Sequence, residues 1–145
     1  YISPLKRCRE SAELIFKNYE YVAVDDFREC DFGDFEYLNY EDLKYNKDYQ
    51  KFIDSMGEYP FPRGEDRKSF CKRCCDAFEK VIFNEKSNSV GMVVHGGTIM
   101  AVLDKYSYPH KDYYEWQCKN GCGFVCEVEI ENSNIYIKDI KMIGL

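Results

Sequence analysis

A chain of 145 residues that is 45% hydrophobic and 32% charged is long enough for one buried core and too apolar to be disordered. Its net charge of −6 argues against nucleic acid as a partner, because a phosphate backbone is gripped by a basic face. No run approaches the roughly 18 apolar residues of a membrane-spanning helix, so no membrane partner is expected.

In chain order, "YI" is a short strand start, and "SPLKRCRESAELIFKNY" reads as a helix with Ser3 as N-cap and Pro4 at the first helical position. Leu5, Cys8, Ala12 and Ile15 recur along it at helical spacing. "YEYVAV" reads as a strand ending near Val24, and "DDFRECDFGDFE" as an acidic loop. "NYEDLKYNKDYQKFIDSM" is weakly helical and divides into two pieces, followed by a Pro/Gly break at "GEYPFPRG". "EDRKSFCKRCCDAFEKVIFNE" is the strongest helix, with Phe70, Cys74, Ala77, Phe78, Val81 and Ile82 on one face. "SVGMVV" is a continuous apolar run, as in a strand buried on both faces, and "TIMAVLDKY" is a helix capped by Thr98. "GFVCEVEI" alternates, with Phe124, Cys126, Val128 and Ile130 on one side. "ENSN" then turns the chain into "IYIKDIKMI", giving a terminal hairpin. Alternating strands and helices ending in a hairpin predict an α/β fold over residues 1–145 as one domain, its sheet mostly parallel with an antiparallel edge.

Eight cysteines would permit disulfides, but three of them crowd into "CKRCC" on a single helix and cannot easily bridge each other. They are read as reduced thiols that pack like small hydrophobes, which makes the cytoplasm the expected compartment. Cys71 and Cys74 have metal-ligand spacing, and Cys118, Cys122 and Cys126 recur every fourth residue. A helix half and a loop-to-strand half do not make an obvious four-ligand site, so no metal is expected.

The chemistry concentrates at strand ends. In an open α/β sheet, ligands bind beyond the carboxyl ends of the strands. His95 stands there, after Val94, with Gly96 and Gly97 opening a helix whose first N–H groups are free to meet an anion. Arg7 lies near another helix start, where its fork can clasp phosphate oxygens in pairs. Glu29 lies in a third loop after a strand, where a carboxyl beside an anion can serve as a general acid.

"SPLKRCRESAELI", "FRECDFGDFE", "PFPRGEDRKSFCKRC" and "VVHGGTIMAVL" together resemble, in order and over almost the whole chain, the histidine phosphatase superfamily, also called phosphoglycerate mutase-like. Within it the chain most resembles small bacterial α-ribazole phosphatase-like proteins. The resemblance implies a three-layer αβα fold and phosphoryl transfer through a phosphohistidine, with no metal or organic cofactor. It makes Arg7 and His95, with Gly96, the phosphate-binding residues, His95 a donor to the phosphate, and Glu29 the proton donor. Two departures are visible. The family's nucleophilic histidine lies in an "RHG" motif on the first strand, and this chain has no such motif; the only other histidine, His110, lies in a polar, Tyr-rich stretch. The family also usually has glycine where this chain has Tyr37.

The expected function is hydrolysis of a small phosphorylated metabolite, an α-ribazole phosphate-like phosphomonoester. A phosphoglycerate mutase and a phosphate-binding protein without catalysis are the alternatives. Without the nucleophile, these 145 residues are expected to turn over p-nitrophenyl phosphate negligibly. The family's first strand would sit beside the one ending at His95. Without it an edge stays open, which a second copy could pair with to form a dimer. The chain starts at Tyr1 without an initiator Met, so a targeting segment is not excluded.

Overall fold

A computed structural model describes residues 1–144. In chain order the helices are α1 (Lys6–Ile15), α2 (Tyr40–Leu43), α3 (Lys47–Asp54), α4 (Arg67–Asn84) and α5 (Gly96–Tyr106). Two strands follow, β1 (Gly123–Glu131) and β2 (Asn134–Ile143), and short 3₁₀ turns punctuate the loops. No helix is long and apolar enough to cross a membrane, among the described residues. The chain groups into two compact units, Cys30–Lys72 and the remainder on either side of it.

The larger unit, Tyr1–Glu29 with Arg73–Leu145, holds the sequence's β–α alternation in reduced form. Instead of the expected parallel sheet, single parallel bridges join Ile2 to Ala23 and to Val93, and Ser107 to Ile137. The ladder around Ile2 is well made: Ile2 N–H donates to Val22 O and Val24 N–H to Ile2 O, each at 2.9 Å. Ser3 N–H donates to Val93 O at 2.9 Å, and Val93 N–H to Tyr1 O at 3.0 Å. It stays short because Pro4 has no N–H to extend it and a 3₁₀ turn begins at Asp25. "SVGMVV" is exposed to half-buried along its length, not buried on both faces, and Val93 pairs through both its N–H and its C=O with the segment around Ile2.

Helices α4 and α5 supply most of this core. Phe78 lies 5.4 Å from Tyr106 between ring centroids, Cys74 Sγ is 3.7 Å from Thr98 Oγ1, and the Cys75 thiol donates to Ala101 O at 3.3 Å. The start of α4 is capped by Asp66, whose carboxylate accepts from Ser69 N–H at 2.8 Å; that bond pulls its pKa down. Thr98 is not a cap: α5 starts at Gly96 with His95 as N-cap, which buries Thr98 in the first turn. The hairpin is as expected. Asn132 and Ser133 form its two-residue turn with φ of 49° and 64°, the positive values that match the twist of the strands. Its register shifts once, where Asp139, at φ 51°, and Ile140 face the single residue Cys126. Val128 pairs with Ile137 and Ile130 with Ile135 on one face, yet Ile137 is 1% exposed and Ile130 50%. Cover on that face reaches β2 and leaves β1 at the margin, so alternation alone overstated its burial.

The smaller unit, Cys30–Lys72, has its own core of Phe35, Leu43 and Phe61, with Cys30, Phe32, Tyr49 and Phe52 packed against it. Phe52 stacks on Phe61 at 3.9 Å between centroids. The two expected helical pieces are α2 and α3, each started by an asparagine whose side chain accepts from the first turn, Asn39 and Asn46. "DFGDFE" and "FPRGE" interlock: Asp34 N–H donates to Pro62 O at 2.9 Å and Glu65 N–H to Asp31 O at 2.8 Å. A Cβ on Gly33 would lie 2.2 Å from Pro62 O, and Gly33 has φ 54°, so only glycine fits there.

Tyr37 ends this loop at φ 65° and is fully exposed. A bulky residue in the left-handed region is strained, and its side chain buries nothing in return. Tyr37→Gly relieves that strain and loses part of the gain to the freer unfolded chain. A net stabilisation of about 0.5–1 kcal/mol is expected in urea unfolding; an unchanged or lower midpoint would contradict the strain.

Candidate active site

Three chain segments meet where their parallel bridges end: Ser3 to Cys8, the loop from Val24 to Glu29, and Val94 to His95. Their carboxyl ends all point the same way, so the loops that follow converge. Ser3 is not the N-cap of α1, which is Leu5 and lacks a side-chain cap bond. Ser3 is fully buried, and its Oγ accepts from Leu5 N–H at 3.3 Å and faces His95 Nε2 at 2.7 Å.

His95, 5% exposed, is the centre of the cluster. Arg7 Nη2 lies 3.0 Å from its Nδ1. A guanidinium only donates, so Nδ1 accepts, the neutral ring carries its proton on Nε2, and Nε2–H donates to Ser3 Oγ. Glu29 Oε2 stands 3.7 Å from Nδ1, and Cys8 Sγ 3.6 Å from Nε2. Burial, then Arg7, then Arg73, push the His95 pKa down from 6.5 to about 4. The imidazole is therefore neutral at pH 7, and its contact with Glu29 is not an ion pair there. Burial also raises the Cys8 pKa, against weaker opposing pulls from Ser3 and Arg7. With both of these groups neutral, the fixed positive charge around the ring comes from Arg7 and Arg73.

The structure thus brings Arg7, Glu29 and His95 together, as their positions in the sequence imply. Gly96 is the first residue of α5 and is exposed; beyond its chain neighbours and its own helix backbone, a Cβ there would meet no atom of the described residues within 4 Å, so packing does not demand glycine. His110 is exposed at the surface, its Nε2 3.4 Å from Asp112 Oδ1, and Asp104 offers a third ligand atom within 4.8 Å of theirs. Ser3, Cys8 and Arg73 were missed. Ser3 looked like an ordinary cap and Cys8 like one position of an apolar face. Arg73 lies between Phe70 and Cys74, at the border of the apolar stripe of α4, and that border position was its only signal.

Comparisons with known proteins identify the family. The family model of the histidine phosphatase superfamily (branch 1) matches residues 1–141. The uncharacterized phosphatase PhoE of Bacillus subtilis (strain 168) is 27% identical over 142 residues, which are 97% of this chain and 68% of that protein. The metal-independent phosphoserine phosphatase of Arabidopsis thaliana is 30% identical over 108 residues, 70% of this chain and 45% of its own length. Among solved structures, the alpha-ribazole phosphatase from Shigella flexneri superposes with a TM-score of 0.76 at 17% identity, over 94% of this chain and 69% of that one. This last likeness is one of fold.

The depressed pKa of His95 has a consequence for stability. Between about pH 6.5 and 4 the unfolded chain binds a proton at this residue that the folded chain refuses. Its contribution is therefore present above pH 6.5, is lost as pH falls towards 4, and is constant below. The size is on the order of 3 kcal/mol. Urea unfolding of the parent and of His95→Gln should show their stability difference shrinking by about that amount from pH 7 to pH 4. A difference that is constant with pH would mean the ring titrates normally.

Proposed function

Because the chain belongs to the histidine phosphatase superfamily, we propose that it serves hydrolysis of a small phosphomonoester, an α-ribazole phosphate-like metabolite being the form of substrate considered. The observation that carries this reading is one imidazole held by a guanidinium with a carboxyl group beside it: Arg7 at 3.0 Å and Glu29 at 3.7 Å from the same ring nitrogen. Two of the relatives it resembles are named phosphatases, which supports the same class of reaction.

In this reading a phosphate dianion is drawn to Arg7, with Arg73 adding to the local field, and meets the free N–H groups at the start of α5 near Gly96. His95 becomes a donor to a phosphate oxygen on taking up a proton at Nδ1, as Arg7 turns from the ring to the phosphate. The incoming negative charge offsets the two guanidiniums that depress its basicity, so anion binding raises the His95 pKa and favours proton uptake. Glu29 is assigned protonation of the leaving alkoxide, which poor leaving groups need most. The nucleophile of the family's phosphohistidine is not assigned to any residue of this chain.

Calorimetry with inorganic phosphate or vanadate tests the pocket. Binding should be detectable and should weaken roughly tenfold or more in Arg7→Ala, since a charge-assisted contact is worth about 1.5–3 kcal/mol. Equal affinity in both proteins would remove Arg7 from the site. Product analysis with phosphoglycerates separates the two enzymatic outcomes: released inorganic phosphate supports the phosphatase reading, and isomerised product overturns it in favour of a mutase.

A further inference from the structure

The geometry points to Arg73 as the positioning residue of Glu29: its guanidinium clamps the main chain of the loop that carries this carboxyl group. The inference rests on the role proposed above for Glu29. From α4, Nη1 of Arg73 donates to Asp26 O at 2.8 Å and to Arg28 O at 3.0 Å, and Nη2 donates to Glu29 O at 3.3 Å. A single fork thus ties three carbonyls of one short segment, the last belonging to Glu29 itself. Donors fixed in one plane can do this; an ammonium group, which offers its donors from a single point, cannot span the same carbonyls.

The loop needs such a clamp. Between Val24, where pairing with Ile2 stops, and Glu29, its internal support is a 3₁₀ turn with Phe27 N–H on Val24 O at 3.0 Å and Arg28 N–H on Asp25 O at 3.1 Å. Phe27 is fully buried and anchors one side of the segment. Arg73 holds the other side, so the loop is fixed both by apolar burial and by hydrogen bonds. The same guanidinium contributes to the field at His95. The groups acting on that ring are then Arg7, Cys8 and Ser3 from the first segment, Glu29 from the loop and Arg73 from α4.

The test reads the coupling between Glu29 and His95, and needs neither turnover nor phosphate. The chain has two histidines, His95 and His110, so the imidazole region of a heteronuclear NMR spectrum is readily assigned. In the parent, Glu29→Gln removes a carboxyl group near Nδ1 and should shift the His95 titration downwards. The same substitution is then made in Arg73→Met and in Arg73→Lys. If Arg73 positions Glu29, the shift caused by Glu29→Gln falls to about half or less in both backgrounds, including the lysine variant that retains the charge. Amide exchange at Phe27 and Arg28 should also quicken about tenfold while α5 and the hairpin keep their protection, which shows that the variants are folded. A Glu29 effect undiminished in Arg73→Lys would overturn the proposal. Should phosphate fail to bind while the coupling behaves as expected, the phosphatase reading falls and the clamp stands.

Discussion

The pocket depends on one hydrogen-bonding constraint: a neutral imidazole with both nitrogens committed. Arg7 can only donate, which makes Nδ1 of His95 an acceptor, and that leaves Nε2–H for Ser3. The ring is thereby fixed in tautomer and in plane by two residues four positions apart near the start of the chain. Its own backbone is meanwhile fixed as the N-cap of α5, with His95 O accepting from Ile99 N–H at 3.0 Å. The chain from Ser3 into the first turn of α1 thus meets the start of α5 at this side chain.

Charge around that ring is poised for an incoming anion. Two guanidiniums near a buried, uncharged imidazole form an environment in which positive charge exceeds what the nearby carboxyl group can offset. Protonating the ring is costly there for as long as no anion is present. Basicity at His95 is therefore a property of occupancy as much as of sequence, and the ordinary pKa of histidine is a poor guide to it. The nearby Cys8 thiol follows the same logic: burial keeps it protonated in spite of its place in the first turn of α1.

Much of this was legible from residue order. The apolar stripe of α4 and the hairpin with its "ENSN" turn are local patterns, fixed by spacing within a few residues. Arg7, Glu29 and His95 were legible for a different reason: each follows an apolar run that ends in a turn, and the rule about strand ends places such residues together. What sequence could not show were partnerships across long separations. Ser3 meets His95 across 92 positions, and no local pattern distinguishes that bond from a helix cap. Tyr37, conspicuous where glycine is usual in proteins the chain resembles, proved to adopt the left-handed conformation that glycine would have made easy. The parallel sheet shrank to single bridges because proline and an early turn stop the ladders, an effect that apolar content does not report.

The rigid link between the ring and α5 also makes that helix a ruler. It is 11 residues long, so its far end lies about 16 Å from the residue that opens it. Beyond that end the chain reaches the surface at Tyr108 and His110, both exposed. A fluorophore attached in this stretch would stand a known distance from the pocket without touching it. Resonance energy transfer to a labelled anion could then report occupancy as a length.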